Sequence, residues 1–326
     1  MIPATPRIWL APLRGLTGAL FRNAYAEHFD GIDGAVTPFL TTIQGVRIKP
    51  SQIQEVLPEN NRLMPVVPQI ISKTPSNFIA LATALHRMGY DTVNWNLGCP
   101  FARVANKQRG SGLLPHPERI DAFLEQVTGA LPTRISVKLR LGRSAPEEIL
   151  DLLPVFDRYP IQSLILHPRT GEQMYTGRPD FEMFAQCLQR TRHPVIYNGD
   201  IVDRKGFEVL QQRFPSVAGW MIGRGLLADP FLPSAIKGSS PSHEDRIGRF
   251  RRFHDTLFDR FAAIRHGPVQ LVDTMKGYWT YFAQNFQQGD KLLKRVRKAR
   301  RVEQYRNILA AFWQTAAFKG PFDTCG

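Results

Sequence analysis

Short apolar runs alternate with stretches of helical periodicity from Ile8 to about Ile236. The runs that read as strands lie at 7–11, 34–39, 65–71, 92–96, 134–141, 163–167, 194–198 and 219–223. Several are nearly continuous in hydrophobicity, as in Leu164-Ile165-Leu166 or Trp220-Met221-Ile222, which suits strands covered on both faces of a parallel sheet. Between them, Phe78, Leu81, Ala82, Leu85 and Met88 share one face of a helix expected over 75–88. Further helices are expected over 117–128, 146–156 and 203–213, the last with Asp203 as N-cap or first-turn residue. Eight strands, most of them followed by a helix, match the count of a (β/α)8 TIM barrel. The rival is an open doubly wound sheet, which often carries a G-x-G-x-x-G turn after its first strand. Here Ala11-Pro12-Leu13-Arg14-Gly15 occupies that place, and the barrel is the preferred reading.

The pattern changes after Gly238-Ser239-Ser240-Pro241-Ser242, which reads as a linker. Strand-like runs stop. Ile247, Phe250, His254, Leu257, Phe258, Phe261 and Ile264 recur at spacings of three and four, the face of one helix. A second, aromatic-rich helix is expected over 269–286, and one or two more over 291–318. The expected organisation is therefore a barrel domain over 1–237 and a small helical bundle over 243–326. Neither a solenoid repeat nor a low-complexity tract interrupts it.

Composition narrows the function classes. With 43% hydrophobic residues the chain can bury a substantial core, which excludes global disorder. The 42 Lys and Arg outnumber the 28 Asp and Glu, giving a formal charge of +14 and favouring polyanionic partners. From His243 onward there are 16 basic and 8 acidic residues, so about a quarter of the chain carries more than half of the surplus. The three cysteines, Cys99, Cys187 and Cys325, are too far apart for a zinc knuckle or a redox CxxC pair. So few cysteines fit a reducing compartment. No apolar run approaches the ~18 residues of a transmembrane helix, and Pro12 and Arg14 break any signal-peptide pattern at the start. A cytoplasmic, metal-free monomer is expected.

Barrel enzymes place their chemistry at the C-terminal ends of strands. Nearly every such end here offers a polar group or a glycine. In order, they are Pro12 and Gly15; Gln69; Asn96-Leu97-Gly98-Cys99-Pro100; Lys138 and Arg140; His167-Pro168-Arg169-Thr170; Asn198-Gly199-Asp200; and Gly223-Arg224-Gly225. Each alone has an ordinary explanation. A lone cysteine is commonly an inert buried residue, a histidine after an apolar run is commonly a core residue, and either glycine tripeptide is a common turn. Lys138 is harder to dismiss, because a closed barrel has no edge strand to expose it and an uncompensated ammonium inside would be costly. It calls for an acceptor such as a ligand carbonyl or phosphate. Loops after strands seven and eight of this fold often bind phosphate through backbone N–H groups.

The run Asn96-x-Gly98-Cys99-Pro100, Val104 and Gly110-Ser111-Gly112-Leu113-Leu114 resembles the signature of the flavin-dependent tRNA-dihydrouridine synthases. In the same order come Ala11-Pro12-Leu13-x-Gly15, Gln69, Val137-Lys138-x-Arg140-x-Gly142, His167-x-Arg169-Thr170, Asn198-Gly199-Asp200-Ile201 and Met221-Ile222-Gly223-Arg224-Gly225. Met275-Lys276 and Tyr281-Phe282 extend the likeness into the tail. The resemblance implies an FMN-bound barrel, NADPH as electron donor and tRNA as substrate. It implies that Pro12, Leu13, Gln69, Lys138, His167, Asn198, Gly199, Asp200, Gly223 and Arg224 bind FMN, that Cys99 is the proton donor, and that Asn96, Arg140 and Tyr175 face the target uracil. Departures from the family pattern stand at Leu13, Arg14, Thr37-Pro38-Phe39, Pro168 and Gly110-Ser111-Gly112.

A cysteine of ordinary pKa, ~8.5, is protonated at neutral pH and suits such an acid role. In the tail, Lys291, Lys294, Arg295, Arg297, Lys298, Arg300, Arg301 and Arg306 crowd a stretch whose one acid is Glu303. A near single-signed run lacks the i,i+4 pairs of a merely solvated helix, so Arg297, Arg300 and Arg301 are expected to contact tRNA phosphates. Two other classes compete. An FMN barrel oxidoreductase acting on a small molecule has no need of the basic tail, and a non-enzymatic RNA-binding protein has no need of Cys99, Lys138 and His167 together.

Overall fold

The computed structural model describes residues 5–43, 48–239, 243–264 and 267–319. Among these residues ten strands form one sheet in which every neighbouring pair is parallel: β1 (Ile8–Leu10), β2 (Gly34–Val36), β3 (Leu40–Thr41), β4 (Val66–Val67), β5 (Gln69–Ile71), β6 (Thr92–Leu97), β7 (Arg134–Arg140), β8 (Ile161–His167), β9 (Val195–Tyr197) and β10 (Gly219–Ile222). The eight expected strands are all present, but the second and third are each divided. Pro38 separates β2 from β3, and Pro68 separates β4 from β5. Proline has no N–H to give to the ladder, so the strand is interrupted there. β2 pairs with β4, and β3 pairs with β5, which also pairs with β6. With β1 between β10 and β2, the ring closes as a (β/α)8 barrel.

Strand alternation explains why one side of the barrel interior is polar. Along β7 the apolar Ile135, Val137 and Leu139 join the main core under the helices, while Ser136, Lys138 and Arg140 take the other face. Along β6, Val93, Trp95 and Leu97 pack outward, leaving Asn94 and Asn96 inside. Trp95 stacks on Phe123 of the helix Pro117–Thr128 at 4.0 Å between ring centroids. The register sets Asn96 beside Lys138, and Arg140 beside His167. The opposite side of the interior is apolar, a separate cluster of Ala11, Val36, Ile165, Ile196 and Met221. The barrel interior therefore has one apolar side and one hydrogen-bonding side.

The helices Pro75–Arg87, Pro117–Thr128, Glu148–Phe156 and Arg204–Arg213 match the periodicity. Asp203 caps the last by accepting the Gly206 N–H at 2.7 Å. The helices Ala19–His28 and Phe181–Arg190 were not anticipated; Asp180 caps the second through the Met183 N–H. After the barrel, helices span His243–Ile264, Pro268–Phe282, Gly289–Lys298 and Val302–Trp313. Phe250, His254, Leu257, Phe258 and Phe261 are buried as their spacing requires, and Phe253 joins them. Ile264, expected on the same face, is 51% exposed in the last turn of that helix. The linker residues Ser240, Pro241 and Ser242, and Cys325, lie outside the described residues.

The helical unit sits against the barrel. Phe21 of the first helix stacks on Tyr278 at 5.7 Å and meets Phe253 edge-on. The Tyr278 hydroxyl donates to the Leu16 carbonyl at 2.6 Å, and the Asn285 side-chain amide donates to the Ala228 carbonyl at 2.8 Å. No helix among the described residues is long and apolar enough to cross a membrane.

Candidate active site

Residues from almost every strand end converge on one cavity of about 250 Å³. Pro12, Leu13, Gln69, Asn96, Cys99, Lys138, Arg140, His167, Tyr175, Asn198, Gly199, Gly223 and Arg224 all line it. Of the expected barrel residues, only Asp200 does not. It lines an adjoining groove of about 710 Å³, which shares Tyr175, Gly199, Arg224 and Tyr281 with the cavity. The Asp200 carboxylate is held by Arg169 at 2.5 Å and Arg224 at 2.7 Å. Burial works against its ionisation, yet the two guanidinium groups hold it below the usual carboxylate range. Asp200 thus aims Arg224 rather than reaching into the cavity. Arg297, Arg300 and Arg301 stand apart from the cavity, exposed on the helical unit.

A ladder of amides crosses the polar wall. Asn94 donates to Ser136 Oγ at 2.9 Å, Gln69 donates to Asn94 Oδ1 at 2.8 Å, and Asn96 donates to Gln69 Oε1 at 2.7 Å. At its upper end, Asn96 Oδ1 accepts the backbone N–H groups of Gly98 and Cys99 at 3.1 and 3.0 Å. The loop that carries Cys99 is therefore pinned to the barrel floor. Its far side is pinned by Ser111, whose N–H and hydroxyl both donate to the Cys99 carbonyl. Gly110, at φ +57°, leaves no room for a Cβ against Cys99, and a Cβ on Gly112 would come within 2.1 Å of the Ala105 carbonyl. Cys99 is 8% exposed, and burial pushes its thiol pKa up, opposed by a backbone hydrogen bond from Phe101 and by Arg14, Arg140 and Arg103. A protonated thiol at neutral pH follows.

Lys138 has no hydrogen-bond or ion-pair partner among the described residues, although it lies within the barrel wall and lines the cavity. Burial, reinforced by Arg140, lowers its pKa to about 7. This is the unsatisfied donor that the sequence pattern required, and it is aimed at whatever occupies the cavity. Its cost has a sign that can be measured in protein with the cavity empty. Between pH 7 and about 10.5 the unfolded chain holds a proton on this lysine that the folded chain has released, so stability rises with pH across that window. Lys138→Met should be more stable than wild type at pH 7, and the gap should close as pH rises toward 10. Denaturant titrations of both proteins at pH 7, 8.5 and 10 check this; a constant gap would contradict it.

His167 is neutral. Burial, then the cations Arg140, Lys138, Arg169 and Arg224, hold its pKa well below the usual imidazole value. Arg169 Nη1 lies 3.2 Å from His167 Nε2, and a guanidinium can only donate, so Nε2 accepts and Nδ1 carries the proton. Arg140 is 2% exposed and donates to the carbonyls of Gly98, Thr170 and Met174 at 3.0, 2.8 and 2.7 Å. It braces the Cys99 loop against the loop after β8. Burial lowers its pKa to about 10, which leaves it charged at neutral pH. Tyr175 is in contact with two guanidinium groups, Arg224 at 4.5 Å and Arg140 at 5.4 Å from its ring centroid.

Four contributors were not in the sequence reading of the site. Arg169 was noticed only as part of a motif, yet it is 1% exposed and links His167 to Asp200. Thr17 fixes the turn after β1, donating to the Ala11 carbonyl and accepting the Leu13 N–H. Tyr281, from the helical unit, reaches both cavity and groove. Phe101 lines the cavity just beyond Cys99. An Arg two residues after a strand-end His was a signal that could have been used; nothing in sequence spacing places Tyr281 there.

Comparison with known proteins bears on this arrangement. The family model described as "Dihydrouridine synthase (Dus)" matches residues 9–317. A "tRNA-dihydrouridine(16) synthase" of Cupriavidus necator is 28% identical over 297 residues, covering 85% of this chain and 90% of its own. One of the same description from Haemophilus ducreyi is 28% identical over 247 residues, covering 73% and 75%. A "Probable tRNA-dihydrouridine synthase" of Staphylococcus aureus is 26% identical over 317 residues, covering 94% and 93%. Among solved structures, the old yellow enzyme homologue from Zymomonas mobilis aligns with a TM-score of 0.53 at 13% identity, covering 75% of this chain and 92% of its own. Morphinone reductase in complex with tetrahydroNAD aligns at 0.52 and 13%, covering 72% and 88%. At that identity the two structures speak for the fold alone.

Proposed function

The chain belongs to the dihydrouridine synthase family, and from that premise we propose that it reduces a uridine of tRNA to 5,6-dihydrouridine, with FMN held in the barrel and NADPH as electron donor. The names of the Cupriavidus and Haemophilus relatives support position 16 as the target. The observation that carries the reading is the partnerless Lys138 on the same cavity as a protonated Cys99, a neutral His167 and a charged Arg140.

The residues fit a flavin mononucleotide. Pro12 and Leu13 offer an apolar surface to a planar ring system, and Gln69, Lys138 and His167 offer donors to its polar edge. Asn198, Gly199, Gly223 and Arg224 suit the phosphate, with Asp200 acting through Arg224. Reduced FMN, when bound, supplies the hydride that adds to C6 of uracil. Cys99 gives a proton to C5 and is reprotonated from solvent. Its burial favours the thiol before transfer, and Arg14, Arg140 and Arg103 offset the charge of the thiolate that transfer leaves. Arg140 and Tyr175 hold the uracil, while Asn96 keeps the Cys99 loop in place; the alternative in which Asn96 also touches the base uses its remaining N–H. The target base must leave its stack to enter, at a cost of a few kcal/mol that an RNA loop reduces. We take residues 1–237 as the flavin-binding unit and 243–326 as the unit that holds tRNA.

The reading is tested by the protein's colour. Purified protein should show the flavin absorption bands, and Lys138→Ala should lower flavin occupancy and weaken FMN rebinding to stripped protein. A colourless protein that takes up no added FMN would end the proposal.

A further inference from the structure

The mouth of the cavity carries an aromatic and cationic surface beside the Cys99 loop, larger than contact with one uracil requires. Phe101, two residues beyond Cys99, lines the cavity and is 43% exposed. Arg14, from the turn after β1, lines the same cavity, with its guanidinium 5.5 Å from the centroid of the Phe39 ring, which also lines it. Arg103, two residues after Phe101, is exposed. Arg14 and Arg103 both lie close enough to Cys99 to act on its thiol. Neither guanidinium forms an ion pair or hydrogen bond among the described residues.

We propose that Phe101 and the Arg14–Phe39 pair form a stacking platform for the nucleobase adjacent to the target uridine. The inference rests on the reading that the substrate is a uridine within an RNA strand. A nucleotide that swings into the cavity takes the backbone of its neighbours to the mouth, and the adjacent base loses the stacking partner that has left. An aromatic face with a guanidinium beside it replaces that partner without regard to base identity, as in single-strand binding sites. The backbone holds Phe101 for this role. Its carbonyl accepts the N–H groups of Val104 and Ala105 at 2.8 and 3.0 Å, so the residue opens a helical turn instead of trailing from the loop. The preceding Cys99 is clamped through Asn96 and Ser111. Ring and acid are thus fixed on one short segment, which ties the position of the neighbouring base to that of the reacting carbon.

The test is a double-mutant cycle on the flavin-loaded protein. Three tRNAs are compared: intact, and with the base removed from the nucleotide on the 5′ or the 3′ side of the target. Phe101→Ala should weaken binding of intact tRNA by roughly fivefold to a hundredfold, the range of one base–aromatic stack. Removing the base on the platform side should weaken binding to wild type by a similar factor, and add little further loss in Phe101→Ala. Arg14→Ala should show the same coupling to the same neighbour, and Phe101→Trp should restore binding. Equal losses from Phe101→Ala on all three tRNAs, or no loss, would overturn the platform. Failure of the wild-type holoprotein to bind any tRNA would instead remove the reading on which it rests, and the platform with it.

Discussion

Cys99→Ala is expected to keep its flavin and to lose dihydrouridine formation by on the order of a hundredfold or more in single turnover, the usual worth of a positioned general acid. The expectation follows from geometry before chemistry. Among the described residues Cys99 is the one cysteine on the cavity; Cys187, the other described cysteine, is fully buried on the inner face of the helix Phe181–Arg190, with its pKa raised to about 12 by burial. Cys187→Ala should therefore leave the rate unchanged, and so should Cys325→Ala. The thiol is small and its replacement opens no large void, so the flavin site should survive. Single-turnover kinetics, with pre-reduced protein and tRNA in excess, separate the proton step from flavin reduction. Wild-type rates in Cys99→Ala would assign the acid to another group.

The second large effect concerns the tail. All eight cations from Lys291 to Arg306 are exposed, and none forms an ion pair among the described residues. Of the aromatics around them, Tyr278, Trp279, Phe282, Phe286 and Tyr305 are buried and Tyr281 is half-buried, so the cations form a surface over an aromatic core. Arg295, Arg297 and Lys298 end the helix Gly289–Lys298, where cations also offset the helix dipole. Arg300 and Arg301 lie beyond that helix and precede Val302–Trp313, where positive charge has no such role. The triple reversal Arg297→Glu, Arg300→Glu and Arg301→Glu should weaken tRNA binding and flatten its log–log salt dependence by roughly two to three, at ~0.9 for each phosphate left without its cation. FMN content should not change, since none of the three lines the cavity. Unaltered affinity at two salt concentrations would make the run a solvated face.

The barrel was legible because each strand is short, apolar on its outer face and followed by a polar or glycine-rich end. Lys138 stood out because period-two geometry gives a strand lysine only two directions, and a closed barrel makes both of them internal. The divisions at Pro38 and Pro68 follow from chemistry visible in the sequence, but hydrophobicity alone ran the strands through them. Other features were invisible for tertiary reasons. Asn96 and Arg140 were expected to face substrate, but spacing cannot reveal that their donors and acceptors hold the Cys99 loop. Asp200 was expected to bind FMN, and spacing could not reveal that it lines the adjoining groove with its carboxylate held by Arg169 and Arg224. Tyr281 enters the site because two tertiary interactions, Phe21 with Tyr278 and Asn285 with the Ala228 carbonyl, seat its helix beside the short helix Arg224–Ala228 that follows β10.

The most direct test of the central claim uses unmodified tRNA transcript, NADPH and the purified flavin-loaded protein, with dihydrouridine mapped at nucleotide resolution. The account predicts dihydrouridine at a single uridine, position 16, and its absence with Cys99→Ala under the same conditions. Flavin-loaded protein that consumes NADPH yet leaves every uridine of the tRNA unreduced would contradict it.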